Sequence, residues 1–560
     1  MVRLMISALA LTIGLALVLP NTSWFADTPQ PTSASQHTSA FDALLSQSIN
    51  ADKPGVTVVI SRHGEVIYQA SRGVADIEAK RPLADNDLLL IGSITKQYAA
   101  AAVLKLAAEG QLALSDSVGT LLADERFNDV TVAQLLNHTS GIASYTSIPG
   151  YMMDERITRD LTTAELIEVF AELPRDFAPG ERWAYNNSGY VLVGAVIEAV
   201  TGMPWHAYID QALLQPLALK ATGYYTDANS QPYPIQGYTG GDAIAPALPM
   251  SITQPHAAGA LAATALDVDR WQYALHSGKV LPAAWYTQMV TPTEVMPNYG
   301  FGLGLGNFLG QTLREHSGGI HGFVSDGIWL EESQLSVVVL ANSDTPQVSP
   351  SMLTKRLAAI ALGQALPIDW PAQPLAAEAL QQLHGSYQID ADTQRYLIHR
   401  DGELFSQRQG GSESKAIFVG NDTFALQDSL AYFSVKRDAD GAVQGVDFYQ
   451  AGAVTPGYAE KVSAEVVTRA VIELTEQQAL RLTGDYQLQP GFVIQIRLTA
   501  AGLTAQATGQ NAFALAAASA NELYNTQFGI TLEFAADEAV PTQLILLQGG
   551  ARMPAPRVND

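Results

Sequence analysis

The 560-residue chain contains no cysteine. That absence removes disulfides, thiolate zinc sites, iron–sulfur clusters, a thiol nucleophile and a lipidated N-terminal cysteine from consideration. Positive charge is scarce as well: 31 Lys and Arg stand against 55 Asp and Glu, a formal net charge of −24. Such a field repels phosphate backbones and anionic lipid surfaces, which argues against a nucleic-acid partner. Charged residues make up only 15% of the chain and hydrophobic residues 47%. This balance fills cores and excludes disorder of the whole chain. No apolar run is long enough to cross a bilayer, which takes roughly 20 residues. Leu4 to Leu19 comes nearest, preceded by Arg3 and broken by Pro20. That layout reads as an export signal over residues 1–26, cleaved after Ala26, with a soluble mature protein in the periplasm or medium.

At roughly 150 residues per domain the length predicts three to four units. Residues 27–40 are rich in Pro, Ser and Thr and read as a flexible leader. A helix is expected from Phe41 to Asn50, then a strand over Gly55–Ile60, a turn at Arg62–Glu65 and a return strand at Val66–Tyr68. Ser93 to Gly110 is Ala/Leu-rich and ends in glycine, as a buried helix does. Helices and strands mix over residues 41–367, and Pro367, Pro371 and Pro374 mark a linker.

Beyond the linker the pattern changes to short alternating strands, and it repeats. Leu383-His384-Gly385-Ser386-Tyr387-Gln388 matches Leu482-Thr483-Gly484-Asp485-Tyr486-Gln487 at an offset of 99, and Leu404, Gln407 and Gly410 match Leu503, Gln506 and Gly509. One register along, Gln450-Ala451-Gly452 matches Gln548-Gly549-Gly550. Two copies of one all-β unit, residues 375–470 and 471–560, account for this. A small closed barrel is the natural form of each, because closure removes exposed strand edges.

The chemistry-bearing signal opens the Ala-rich helix: Gly92-Ser93-Ile94-Thr95-Lys96. Residues three apart share a helix face, so the Lys96 amine can reach the Ser93 hydroxyl. A serine is a weak nucleophile until a base takes its proton, and a lysine serves once burial lowers its pKa. A helix N-terminus adds partial positive charge and free N–H groups for an oxyanion. An N-capping serine beside a solvated lysine would show the same spacing, as Ser412 and Lys415 do in a Gly/Ser loop.

Two further elements accompany it. Tyr185-Asn186-Asn187 precedes a helix running to Gly202; a phenol there can shuttle a proton and an amide can orient a carbonyl. His316-Ser317-Gly318-Gly319 sits on a Gly-containing strand able to line a cleft. Metal binding by His316 and His321 lacks an accompanying carboxylate cluster, so neither metal nor cofactor is assigned.

Ser-x-x-Lys, Tyr-x-Asn and a His-Ser-Gly triplet, in that order, resemble the serine β-lactamase and penicillin-binding-protein superfamily. Tyr-x-Asn together with His-Ser-Gly resembles the class C-related branch, peptidase family S12. Leu135–Ile142 (LLNHTSGI) and Gly259–Asp267 (GALAATALD) resemble further motifs of that branch, with Ala263 where serine is usual. The resemblance spans about residues 41–365 and implies an α/β (α+β) transpeptidase-like catalytic domain, an antiparallel sheet flanked by helices. The two β units resemble the C-terminal lipocalin-like barrels of D-aminopeptidases. It also implies roles: Ser93 as acylated nucleophile, Lys96 with Tyr185 as the proton-transfer pair, and Asn187 as substrate-orienting amide. The Ser93 and Gly319 N–H groups would form the oxyanion hole, with His316, Ser317 and Gly318 on the substrate wall.

His316 stands where the triplet usually has lysine, and a histidine is mostly neutral at pH 7. The implied activity is therefore hydrolysis of small esters, amides or D-amino-acid peptides by an exported enzyme. A β-lactamase or D-alanyl-D-alanine carboxypeptidase is the alternative. A non-catalytic receptor, binding cell-wall fragments or an apolar ligand through the barrels, is the alternative of another class. His138 is read as fixing a loop by a hydrogen bond, and His321 as a loop position. Loops 143–160 and 225–256 carry specificity without a readable code, and the oligomeric state is not encoded legibly.

Overall fold

The computed structural model describes residues 34–148, 150–226, 233–240, 243–466, 471–489, 492–499, 502–508, 512–526, 528–536, 538–548 and 551–558. The export segment and its cleavage site lie outside these residues, as do Gly509, Gly549 and Gly550 of the repeat.

Six strands form the sheet that carries the site: β1 (Val56–Arg62), β2 (Glu65–Arg72), β3 (Gly304–Phe308), β4 (Gln311–Ile320), β5 (Phe323–Leu330) and β6 (Leu335–Ala341). Their spatial order is β3-β4-β5-β6-β1-β2, and every neighbouring pair is antiparallel. The helices that frame it are α1 (Ala34–Ser48), α2 (Thr95–Ala108), α3 (Val132–Leu136), α4 (Asn187–Thr201), α5 (His256–Gly259), α6 (Ala265–His276) and α7 (Pro350–Ala361).

β1 and β6 are buried almost without break because both faces of the sheet are covered. Their alternation sorts residues between two cores. Val59, Val338 and Leu340 point into the core built on α2, α4 and α6, whereas Val58, Ile60, Val337 and Val339 point toward α1 and α7. α2 can sit centrally because Ala99 to Ala102 lets neighbours approach closely, and Tyr98 stacks on Trp271 at 4.0 Å. The leader is shorter than its composition suggested: helix α1 already begins at Ala34. Phe41, Leu44 and Leu45 share one face of it and join Leu353 and Leu357 of α7 in the second core. Packing of that face outweighs the low helix propensity of the Ser/Thr-rich turn ahead of it.

Downstream, strands Gly385–Gln388 to Gly457–Ser463 close into an eight-stranded barrel. A short helix, Ala377–Leu383, leads into it, and Tyr387 donates back to the Leu383 carbonyl at 2.6 Å. The offset of 99 reproduces this entry: helix Glu476–Leu482 leads into strand Gly484–Gln489, and Tyr486 donates to Leu482 O at 3.1 Å. The second unit is a nine-stranded sheet, nearly closed. Its ends are Phe513–Ala514 and Ala516–Ser519, which are consecutive in sequence. They stand where the first unit has one unbroken strand, Glu413–Gly420, so the second barrel is the same ring with that strand interrupted at Leu515. The first barrel docks on the catalytic part through the β3–β4 turn, where Leu309 N donates to Gly452 O at 2.7 Å. Among the described residues no helix is long and apolar enough to cross a membrane.

Candidate active site

Ser93 lies in a 3-10 turn, Gly92–Ile94, that runs directly into α2. One helical turn later Lys96 returns its Nζ to 3.1 Å from Ser93 Oγ. Lys96 is fully buried, and desolvation holds its pKa well below the ordinary lysine value. Nζ also lies 2.8 Å from Asn187 Oδ1 and 2.8 Å from the Ala258 carbonyl of α5. Carbonyl oxygens only accept. A neutral amine has two N–H groups and one lone pair. With both N–H groups given to these two oxygens, the lone pair is left facing the Ser93 hydroxyl.

Tyr185 completes the cluster. Its ring centroid is 4.8 Å from Lys96 Nζ, and its hydroxyl shares a hydrogen bond with Ser93. Desolvation raises the phenol above its usual value, against a smaller opposing pull from the Ser93 bond. One side of the ring stays open, with 38% of the residue exposed. The helix cap next to it divides labour between two asparagines. Asn186 caps α4, its Oδ1 accepting from Gly189 N at 2.6 Å, which frees Asn187 to face Lys96. Asn187 Nδ2 donates to Thr146 Oγ1 at 3.0 Å, and this holds Oδ1 toward the amine.

Strand β4 forms the opposite wall. A side chain at Gly318 would meet Ile91 O at 2.1 Å and Ser325 Oγ at 2.3 Å, and one at Gly92 would meet Gly319 N at 2.8 Å. Gly92 also has φ +49°, a left-handed conformation that costs glycine little. These two glycines let β4 close on the serine turn, with the Gly319 N–H beside it. Ser317 and Gly319 are exposed, and nothing lies within 4 Å of where a Gly319 side chain would be.

His316 is set differently from an open substrate-wall residue. It is 7% exposed; Nε2 is 2.9 Å from the Tyr299 hydroxyl and Nδ1 is 2.6 Å from Ser317 O. Burial, and then the nearby Lys96, lower its pKa to about 4, so the ring is neutral and turned inward. His138 is buried against the same phenol: Nε2 is 3.2 Å from Tyr299 Oη, and Nδ1 accepts from Asn186 N at 3.1 Å. His321 occupies the β4–β5 turn, with Nδ1 3.3 Å from Leu248 O. Lys415 pairs with Glu403 on the first barrel, far in the chain from any helix that could aim it at Ser412. Among the described residues no cluster of three or more His, Asp or Glu could hold a metal ion.

Two contributors had escaped the sequence reading. Ala258 acts through its carbonyl, which no side-chain pattern reports. Tyr299 arrives through a turn packed on α2, where a side chain at Gly302 would meet Lys96 O at 2.7 Å; the aromatic-glycine run Tyr299-Gly300-Phe301-Gly302 was its one local cue.

The Beta-lactamase family model matches residues 40–362 of this chain. Esterase EstB of Burkholderia gladioli is 35% identical over 198 residues, covering 33% of this chain and 50% of that protein; the chain thus spans half the length of this relative. Among solved structures, a D-stereospecific amidohydrolase from Streptomyces sp. is similar with a TM-score of 0.50 at 27% identity, over 58% of this chain and 99% of that one. A penicillin-binding protein homologue from Pyrococcus abyssi, described as octameric, gives 0.54 at 23% identity over 75% and 99%, a likeness of fold.

Proposed function

The chain belongs to the β-lactamase family, and on that premise we propose that it is a serine hydrolase forming an acyl-enzyme at Ser93 on small esters or amides, D-amino-acid peptides among them. The observation that carries this reading is the coordination of Lys96: two N–H groups held by Asn187 Oδ1 and Ala258 O, and the remaining direction on Ser93 Oγ. A fully buried amine with no carboxylate partner among the described residues is costly, and the arrangement spends that cost on a base beside a nucleophile.

In the proposed cycle Lys96 takes the Ser93 proton as Oγ bonds to the substrate carbonyl carbon. The oxyanion is met by the N–H groups of Ser93 and Gly319. Tyr185, kept protonated by its surroundings, gives its proton to the leaving alkoxide or amine as the carbon–heteroatom bond breaks, and is reprotonated from Lys96. Water then attacks the acyl-Ser93 ester with the same groups acting in reverse, releasing the acid.

The neutral, inward-facing His316 gives a substrate carboxylate no cation, which favours uncharged esters and amides over β-lactams and D-alanyl-D-alanine stems. Exposed Leu248, beside the β4–β5 turn, adds an apolar rim. The names of the esterase and amidohydrolase relatives are consistent with that substrate class. Export through the apolar segment at Leu4–Leu19 belongs to the same proposal.

The test is labelling with a fluorophosphonate and peptide mapping, next to turnover of p-nitrophenyl esters, D-amino-acid anilides and nitrocefin. Adduct formation on Ser93, lost in Ser93→Ala, with esters or D-amino-acid anilides turned over faster than nitrocefin, is the expected result. No Ser93-dependent adduct overturns the enzyme reading in favour of a receptor, and nitrocefin as the best substrate overturns the proposed specificity.

A further inference from the structure

Four consecutive hydrogen bonds cross the site from one wall to the other. Asn186 N is 3.1 Å from His138 Nδ1, His138 Nε2 is 3.2 Å from Tyr299 Oη, Tyr299 Oη is 2.9 Å from His316 Nε2, and His316 Nδ1 is 2.6 Å from Ser317 O. The direction of every bond follows from its two ends. A backbone N–H can only donate, so His138 Nδ1 is bare and its proton sits on Nε2. A backbone carbonyl can only accept, so His316 carries its proton on Nδ1 and leaves Nε2 bare. The phenol therefore accepts from His138 and donates to His316. No other neutral arrangement satisfies all four contacts.

We infer that Tyr299 is a positioning residue: its hydroxyl ties the Tyr185–Asn187 loop to the Ser317–Gly319 wall through two neutral histidines of opposite tautomer. This deepens the hydrolase reading and rests on it for the effect on turnover. Asn186 N lies between the proposed proton donor Tyr185 and the Lys96-orienting Asn187. Ser317 O lies two residues from the Gly319 N–H. The chain thus sets the gap between the groups that activate the serine and the group that holds the oxyanion. Tyr299, His138 and His316 are all at least nine-tenths buried, so water is poorly placed to substitute for a missing link.

Protonation of His316 would put a donor at both ends of the phenol. The phenol oxygen can accept from both rings, but the Tyr299 O–H then loses its acceptor at His316 Nε2 and is left without a partner in the chain. One added proton thus removes the bond by which Tyr299 donates to the Ser317 side. The groups facing this chain are Lys96, which when protonated disfavours a second cation, and the phenols of Tyr185 and Tyr190.

The experiment needs two readouts on the full-length protein. Ring nitrogens of its 10 histidines are recorded at pH 7 in 15N-histidine-labelled protein, with His138→Asn and His316→Asn assigning the signals. The expected result is the Nε2–H form for His138 and the Nδ1–H form for His316. In Tyr299→Phe, His316 Nε2 moves toward the frequency of a free imine nitrogen, while kcat for a p-nitrophenyl ester falls by roughly 10–100-fold with KM nearly unchanged, the scale of a small misplacement of reacting groups. Either histidine in the other tautomer overturns the chain, and a folded Tyr299→Phe with wild-type kcat overturns its role in positioning. The tautomers are read without turnover, so a failure of the hydrolase reading leaves them standing. They need no phenylalanine variant, so a misfolded Tyr299→Phe leaves the hydrogen-bond chain open to refutation.

Discussion

Replacing Lys96 by methionine isolates the amine from the space it fills. Methionine keeps an unbranched chain of similar reach inside a fully buried site but offers neither a lone pair of useful basicity nor an N–H. Two structural consequences oppose each other. Asn187 Oδ1 and Ala258 O lose their donor at 2.8 Å, costing ~1–3 kcal/mol for each acceptor left unpaired in the interior. The desolvation that lowers the Lys96 pKa is relieved at the same time, a gain of similar size. The net effect on stability is a few kcal/mol at most, and the variant should melt cooperatively.

Turnover behaves differently, because among the described residues nothing else within hydrogen-bonding distance of Ser93 Oγ is a base. Tyr185 is held protonated by burial, and His316 is spent on Tyr299 and Ser317. Losing a general base is worth ~10²–10⁴ in rate, and further loss of orientation at Asn187 puts the expected decrease in the acylation rate at ~10³-fold or more, about 4 kcal/mol in activation free energy. Stopped-flow measurement of the p-nitrophenol burst, alongside a thermal melt, reads both quantities. A cooperatively folded Lys96→Met protein acylating within about tenfold of the wild type would refute Lys96 as the base, since such a difference is only ~1.4 kcal/mol.

Two predictions concern stability. Arg395 is buried in the first barrel with its guanidinium 3.6 Å over Phe448 and a hydrogen bond to Ser406 Oγ at 2.9 Å; among the described residues its Nε has no partner, and burial lowers its pKa to about 10. The second barrel has Ile494, Ala505 and Leu546 at the corresponding positions, so Arg395→Ile with Ser406→Ala should raise the urea midpoint of this barrel by ~1–3 kcal/mol equivalent; a lowered midpoint contradicts the reasoning. The second concerns acid. Burial lowers the pKa values of His256 and His276 to about 3 and of His316 to about 4, and holds His138 below its usual value. Below about pH 6.5 the unfolded chain takes up protons that the folded protein refuses, so stability is full above that pH and falls below it, by up to ~1.4 kcal/mol per pH unit for each such histidine. Asp326, raised to about 6, and Asp269, also raised, work in the opposite sense, as does relief of the negative net charge. Four histidines outweigh them, and the melting temperature should drop from pH 7 to pH 4.5; a flat or rising profile shows that the histidines do not dominate.

Much of the architecture could be read from local pattern. The β-branched run Gly55–Ile60, the glycine-terminated Ala-rich helix, and the offset of 99 all rest on interactions between residues close in sequence or on literal repetition. The start of α1 was misread because Ser and Thr composition reports local propensity, whereas Phe41 and Leu44 are buried by a helix some 300 residues away in the chain, where Leu353 and Leu357 lie. The interruption at Leu515 that leaves the second barrel nearly closed follows from strand pairing, which has no local signature.

The serine-lysine pair follows the same division. Spacing alone brings Lys96 to Ser93, because one helical turn is a local distance. Whether that lysine is a base or a solvated cation depends on what surrounds it. Its burial, the acceptors at Asn187 and Ala258, and the inward turn of His316 toward Tyr299 come from five separate stretches of chain. Residue identity and order are written along one dimension and set which groups are available. Dielectric environment, tautomer and the direction of a lone pair are properties of a closed three-dimensional shell, and only the packed structure determines them.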